Sequence, residues 1–590
     1  MLSSTSSSKM SSAVAKTVGV KGSDVYESTG DPRVDLSVAL VRGLDSETIC
    51  SGVDKILALG TDEAFEDAFV LMFQTRNIRG GKGERDLFEI MFKRLYTHYP
   101  ALTLDKMVNF VPRYGSWNDL FKLAHEADCP PEVRKRVLDF TAHQLNDDLR
   151  SLAAGENVSL CAKWAPREDK MGPLYKQLAL LMHPEISKLS DRLKATRQEL
   201  ARLNAASKTT EMKMCAKTWA EIQPKEVPAR CRQRNMKAFL NELLDKTASR
   251  SDVHVLRHPE DKDRMECREH FQEFFAKAAR GEVKMNGADT IYPHEVIVKV
   301  LQMLAAERRG GYGYDEYDDY SDDGYAAAGA GAGSADEKNA LIGQWKAFVA
   351  KAKEGGALSK CLAMCDFSGS MNGLPKLICT ALGILVAEVS GTNKILTFDS
   401  VPQWHTFPEG DIFTKVDSIS SQLGQGLSTD FQKAMDLVLA DIVARRVRPE
   451  DVPKDLIVFT DMGWDQACAS DGLGYYTGNT YRRYVKTAPW QTHIEMIREA
   501  FRRTGEDMWG APFVPPRIVV WNLRAEYKDF HATADQEGVV MLSGWSPALF
   551  KVLQEKGVEV MTPLAALRAQ LDDPMYDDIR LAIRAWKAAQ

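Results

Sequence analysis

The sequence predicts a multidomain chain: an N-terminal all-α, helical-repeat region, then a C-terminal α/β domain with a doubly wound, mostly parallel sheet. Three observations predict it. Apolar residues recur at intervals of three and four through most of residues 31–305. From 341 to 590, short apolar runs alternate with helical patterns, as strands and crossover helices do. Residues 306–340 interrupt both patterns with glycine, tyrosine, aspartate and alanine.

The elements follow in order. Residues 1–30 are Ser-rich. The first stretch carries Lys9, Lys16 and Lys21 and no acid, a little like an organelle transit peptide, but a disordered tail accounts for the same composition. In the helical region, Glu63–Phe73 and Leu87–Tyr96 carry strong helical periodicity. Further helices are predicted over Leu102–Val111, Trp117–His125, Pro131–Leu149 and Lys188–Leu203. Short turns between them predict antiparallel helix pairs without a fixed repeat period. The insert Asp315–Asp323 is dense in negative charge and too polar to fold alone. In the last domain, strands are predicted at Cys361–Cys365, Lys394–Phe398, Leu456–Thr460, Arg517–Leu523 and Val539–Leu542. Helices are predicted at Pro375–Val389, Asp430–Ala444, Thr492–Arg503 and Pro547–Gln554. The polar, aromatic stretch Asp465–Thr487 reads as a loop.

Composition narrows the function. The chain has 590 residues, 44% of them hydrophobic, which is ample for two or more cores. A net charge of −6 argues against a uniformly basic nucleic-acid binder. The 10 cysteines form no CxxC pair, so a reduced, cytoplasmic setting is expected. No apolar run reaches membrane-spanning length, so no membrane partner is expected.

The most informative segment is Cys365-Asp366-Phe367-Ser368-Gly369-Ser370-Met371. It follows the apolar Leu362-Ala363-Met364 and leads into a helical pattern, so Asp366, Ser368 and Ser370 lie where a buried strand ends. That edge is where ligands bind in open α/β sheets. A carboxylate with two hydroxyls makes an oxygen-only site, suited to Mg²⁺ or another hard divalent cation and not to zinc or copper. Thr429 offers another hydroxyl in a loop entering a helix, and Asp461 lies just past a second buried strand.

These five residues resemble the metal-ion-dependent adhesion site of von Willebrand factor A domains, in which Asp-x-Ser-x-Ser is followed by Thr and then Asp. The resemblance implies Asp366, Ser368, Ser370, Thr429 and Asp461 as the metal-site residues. It also implies an open coordination position for an acidic side chain of a protein partner.

Several segments further resemble landmarks of the DUF2828 family. They are Arg76–Arg85, Tyr114–Leu120, Ala162-Lys163-Trp164-Ala165-Pro166, Tyr292-Pro293-His294-Glu295, Thr460-Asp461-Met462 and Leu542–Pro547. That family combines a TROVE-like, HEAT-like helical region with a C-terminal A-like domain. The architecture is similar to that of Ro ribonucleoproteins, which implies RNA as a partner. Charge distribution gives modest independent support. Over residues 163–250, Lys and Arg outnumber Asp and Glu about two to one. The candidate RNA-contacting residues are Arg79, Lys82, Arg85, Lys163, Arg192, Arg197, Arg230 and Arg234. The same segment also reads as an ordinary solvated helix face.

Two features have structural readings beside the functional ones. Gly80, Gly81 and Gly83 could bring backbone N–H groups to a phosphate, or simply permit a tight inter-helix turn. Trp117 and Trp164 sit in apolar helical patterns, which predicts core anchors rather than base-stacking platforms. Enzyme signals are weak. His294-Glu295 is not a zinc-protease helix, because Val298 stands where the second histidine belongs. No G-x-S-x-G elbow is present. The expectation is a non-enzymatic RNA-binding scaffold of Ro-like type with a Mg²⁺-binding domain, or a metal-dependent protein-interaction scaffold without RNA.

Overall fold

The computed structural model describes residues 14–19, 22–243, 255–288, 290–308, 333–354, 356, 358–398, 402–420, 431–463, 474–477, 480–483, 493–526, 529–554 and 561–590. The strands are β1 (Lys16–Val18), β2 (Asp24–Tyr26), β3 (Cys361–Asp366), β4 (Lys394–Phe398), β5 (Gln403–Thr406), β6 (Asp455–Thr460), β7 (Gly474–Thr477), β8 (Thr480–Arg483), β9 (Arg517–Asn522) and β10 (Val539–Ser543). Six of them form one sheet in the order β10-β9-β6-β3-β4-β5. All neighbours run parallel except the edge strand β5. Strand order reverses between β3 and β6, the switch point at which such sheets bind ligands.

Strand periodicity of two sends alternate side chains to opposite faces. Leu362, Met364, Leu456, Val458, Ile518 and Val520 join one core. Ala363, Cys365, Ile457, Phe459, Val519 and Trp521 join the other. Helices Phe431–Ala444 and His493–Trp509 cover the first face, and Leu374–Ser390 covers the second.

The helical part begins as the periodicity predicts. Helices Asp62–Arg76 and Arg85–His98 contain the two strongest patterns, and Trp117–His125 has the predicted bounds. Thr61 caps the first of these, its hydroxyl accepting from Ala64 N at 3.1 Å. Pro131–Ala153 and Leu189–Ala206 run slightly longer than expected. The expected helix Leu102–Val111 is instead three short pieces, Pro100–Asp105, Met107–Phe110 and Val111–Tyr114. Pro112 lies in the first turn of the last piece, a position that proline tolerates because no intrahelical N–H is needed there.

The expected domain boundaries shift in three places. Residues 14–19 and 22–30 are not a loose tail. Tyr26 exchanges backbone hydrogen bonds with Phe530, at 2.8 and 2.9 Å, so the β1–β2 ribbon is tied to the C-terminal domain. The acidic segment Asp315–Asp323 lies outside the described residues, but helix Ala335–Glu354 occupies the end of the predicted insert and packs on Lys262–Arg280. Helices Pro563–Leu571 and Asp577–Ala588 leave the sheet and pack on Asp62–Arg76.

That last contact is ionic as well as apolar. Asp67 is buried and accepts from Arg33, Arg568 and Arg580 at 2.7–3.0 Å. Glu66 accepts from Arg580 and Arg584. Burial pushes the Asp67 carboxyl up, but Arg568 and Arg580 outweigh it and hold the group below its ordinary value.

Candidate metal centre and basic cavity

β3 ends at Asp366, and a short 3-10 turn, Gly369–Met371, carries the chain into helix Leu374–Ser390. β6 lies beside β3 with Cys365 opposite Phe459, so Thr460 and Asp461 arrive next to Asp366. The predicted residues Asp366, Ser368 and Asp461 are buried at this switch point. Ser368 N donates to Asp366 Oδ1 at 2.9 Å, and Thr460 Oγ1 donates to Asp366 Oδ2 at 2.8 Å. The hydroxyls of Ser368 and Ser370 lie 3.1 Å apart. Gly463 N donates to Asp461 Oδ1 at 2.9 Å, while Asp461 Oδ2 is buried with no hydrogen-bond partner among the described residues. Thr429 lies outside the described residues.

Backbone geometry supports this cluster. Met462 takes a left-handed φ of 75° directly after Asp461. Its N–H reaches Thr460 Oγ1 at 3.2 Å, and its carbonyl lies 2.9 Å from His531 Nε2. Strain of this kind is kept only where the surroundings enforce it. Arg524 donates to the Ser370 carbonyl from the end of β9.

The donor set fits a hard cation. It contains two carboxylates, two hydroxyls and one buried carboxylate oxygen without a partner. Burial, then the charge of Asp461, pushes the Asp366 carboxyl up, and a cation would relieve that repulsion. Among the described residues no three His, Cys, Asp or Glu gather into a metal cluster. A site of two carboxylates and hydroxyls falls outside that description. Thr460, which the sequence offers as a strand end and as part of the Thr460-Asp461-Met462 landmark, is a contributor outside the five expected metal-site residues. Its signal was its position, one residue before Asp461 and one strand over from Asp366.

A second feature lies where the helical part meets the sheet domain. It is a cavity of about 990 Å³. Its described lining carries nine Lys or Arg against four Asp or Glu. Five of the eight RNA candidates line it: Arg79, Arg85, Lys163, Arg230 and Arg234. Much of this charge is balanced locally. Arg76 and Arg85 share Asp119 at 2.8 and 2.9 Å, Lys163 meets Glu211 at 2.8 Å, and Arg230 meets Glu295 at 2.5 Å. Arg42 pairs with Glu84 at 2.9 Å and also stacks on Trp545, 4.1 Å from its ring centre. Arg79 is exposed and has no carboxylate partner among the described residues.

The remaining candidates lie elsewhere. Lys82 is buried, and its ammonium donates to the carbonyls of Ser37, Leu40 and Ser543 and to the Ser543 hydroxyl. The expectation that it contacts RNA is therefore corrected: it joins the helical part to β10. Burial pushes its pKa down to about 7. Arg192 donates to the carbonyls of Pro184 and Ile186, and Arg197 pairs with Glu168 at 2.6 Å. Neither lines the cavity.

The glycine-rich turn also resolves. Gly81 N and Lys82 N donate to the carbonyls of Asn77 and Gln74, at 3.0 and 3.1 Å, and Glu84 N donates to Thr75. Arg79 N donates to Asn77 Oδ1 at 3.0 Å. These four N–H groups are committed to the turn and are not free to bind an anion. A side chain at Gly81 would stand 1.9 Å from the Gln74 carbonyl. Trp117 is the expected core anchor, stacked on Phe140 at 5.1 Å. Trp164 is not: it is 37% exposed and lines the cavity.

Comparisons with known proteins agree with this division. A family described as a domain of unknown function, DUF7788, matches residues 360–573. The chain is also similar to an uncharacterized protein of Acanthamoeba polyphaga mimivirus, 25% identical over 92% of this chain and 85% of the relative. Five of the six segments that resemble the family contribute residues to the cavity lining: Arg76–Arg85, Tyr114–Leu120, Ala162–Pro166, Tyr292–Glu295 and Leu542–Pro547. The resemblance to DUF2828, a domain of unknown function, is borne out directly over residues 131–248 of the helical part.

Proposed function

We propose that the protein is a non-enzymatic RNA-binding scaffold of Ro-like type, acting in the cytoplasm, with a Mg²⁺ site in its A-like domain. One observation carries this reading: a basic cavity at the junction of the two parts, lined by Arg79, Arg85, Lys163, Arg230 and Arg234. Its positive excess survives the local ion pairs, because Arg79 lacks a carboxylate partner among the described residues. Phosphates would neutralise such groups and release counterions. Filter binding to single-stranded RNA across a salt series tests it. Affinity should fall steeply with salt, and Arg79→Gln should flatten the slope by about 0.7, the loss of one phosphate contact. Binding no tighter than to a neutral control protein would eliminate the reading.

Asp366, Ser368, Ser370 and Asp461 at the switch point would hold the cation, together with Thr429 of the expected set. When bound, Mg²⁺ supplies a Lewis-acidic position able to accept an anionic oxygen. The protein's own groups orient that position: Thr460 and Ser368 N fix Asp366, and Gly463 N fixes one oxygen of Asp461.

The unpartnered Asp461 oxygen favours a second reading, a metal-dependent scaffold for a protein partner with an acidic side chain. Mg²⁺ at a hundredfold excess over its dissociation constant should stabilise the chain by about 2.7 kcal/mol. Asp366→Ala should abolish that response. Pull-downs with and without EDTA then separate the readings, since a partner set indifferent to chelation speaks against the metal bridge.

A further inference from the structure

We infer that the cavity is a site for an unpaired nucleotide, with Trp164 as the surface on which its base stacks. This rests on the RNA reading above and deepens it. Two large apolar residues are left uncovered on the cavity wall, Leu160 at 48% and Trp164 at 37% exposure. They are four residues apart, Leu160 just before the single helical turn Cys161–Trp164 and Trp164 at its end, and so lie toward one side of it. Trp164 has no aromatic neighbour among the described residues, whereas Trp117 is covered by Phe121 and Phe140. Lys163 Nζ lies 5.8 Å from the Trp164 ring centre.

Around this apolar step the lining is basic. The same lining carries Arg79 and Arg234, both exposed, and Lys163 and Arg230, which are paired with carboxylates. A flat uncharged surface within a cavity lined by guanidinium and ammonium groups matches the two chemical faces of a nucleotide, its base and its phosphate. An exposed tryptophan would serve no purpose for a ligand that is charge alone. A volume of about 990 Å³ is at the upper end of small-ligand pockets and admits a few nucleotides, not a stacked duplex. The ligand is therefore single-stranded, a loop or an end. The lining also draws on both parts of the chain, Lys163 and Arg230 from the helical part and Ser546 and Phe550 from the sheet domain, so the site exists only in the assembled molecule.

Fluorescence anisotropy of the full chain tests the inference, with a short labelled oligoadenylate as probe and inorganic polyphosphate as a base-free competitor. Trp164→Ala should weaken oligoadenylate binding about tenfold, and Trp164→Phe should stay within about threefold of the parent. Polyphosphate affinity and the salt slope should be the same in all three proteins, because neither depends on stacking. Duplex RNA should bind more weakly than the single strand. Equal oligoadenylate affinity in the parent and Trp164→Ala overturns the stacking site while leaving RNA binding intact. So does a duplex bound as tightly as the single strand. An acidic peptide bound with the same dependence on Trp164 overturns base recognition. If the parent binds neither oligoadenylate nor polyphosphate, the RNA reading itself falls.

Discussion

Glu89 shows how much of this molecule is decided by single buried atoms. It sits on helix Arg85–His98, and its Oε1 is buried without a hydrogen-bond partner among the described residues. Burial, then the charges of Glu126 and Asp86, pushes its pKa up to about 7. Between its ordinary range and pH 7 the native state binds the extra proton, so stability falls as pH rises through that window. Glu89→Gln should therefore raise the melting temperature at pH 8 and leave it nearly unchanged at pH 5. The gain is on the order of 1 kcal/mol, because the group is partly solvated. Equal effects at both pH values would contradict this. The same scale explains what the sequence revealed of the site. Asp366, Ser368 and Asp461 were legible because strand ends are local, and the apolar runs before them mark where the strands stop. Lys82 and Trp164 were misread because exposure is set by distant partners. Lys82 Nζ reaches Ser543, 461 positions away, and no local pattern announces that.

At the scale of elements, helix Asp62–Arg76 is the junction. Every residue from Ala64 to Arg76 is buried, so it is a core helix and not an amphipathic one. Its two carboxylates at 66 and 67 are tolerable only because guanidinium groups from other helices meet them. Removing one charge leaves the others buried and unmatched. Asp67→Asn should cost about 3 kcal/mol in denaturant unfolding at pH 7. That penalty should shrink as pH falls through the depressed folded pKa, since the parent then loses the same charge. A cost under 0.5 kcal/mol would mean that the pairs are not formed. Elements with continuous apolar runs were legible: β4 and Trp117–His125 have the predicted bounds. Elements that face both water and protein were missed. β5, Gln403-Trp404-His405-Thr406, is a polar edge strand with no apolar run, and the two C-terminal helices lay beyond the predicted strands.

For the whole molecule, one of the apolar cores is shared by the helical and sheet parts. Leu71 and Phe73 belong to the same apolar cluster as Val520, Leu567 and Ile579. The division into residues 31–305 and 341–590 therefore describes composition more than independent folding. Expressed alone, residues 31–305 should lack a cooperative thermal transition, and co-expression with 341–590 should restore it. A sharp calorimetric transition from the first fragment alone would refute this. The fold class was legible because periodicity switches from helical to strand along the chain. The closure was not, because nothing local to residues 563–588 says which surface they will cover.

The Arg568–Asp67 pair has a consequence for biosynthesis. Its members are separated by 501 positions. At cellular elongation rates the ribosome needs roughly 25 to 100 seconds to travel between them. Throughout that interval the nascent polypeptide presents an apolar helix in which Glu66 has neither of its partners and Asp67 has only Arg33 of its three. A chain wired in this way completes its first helices last.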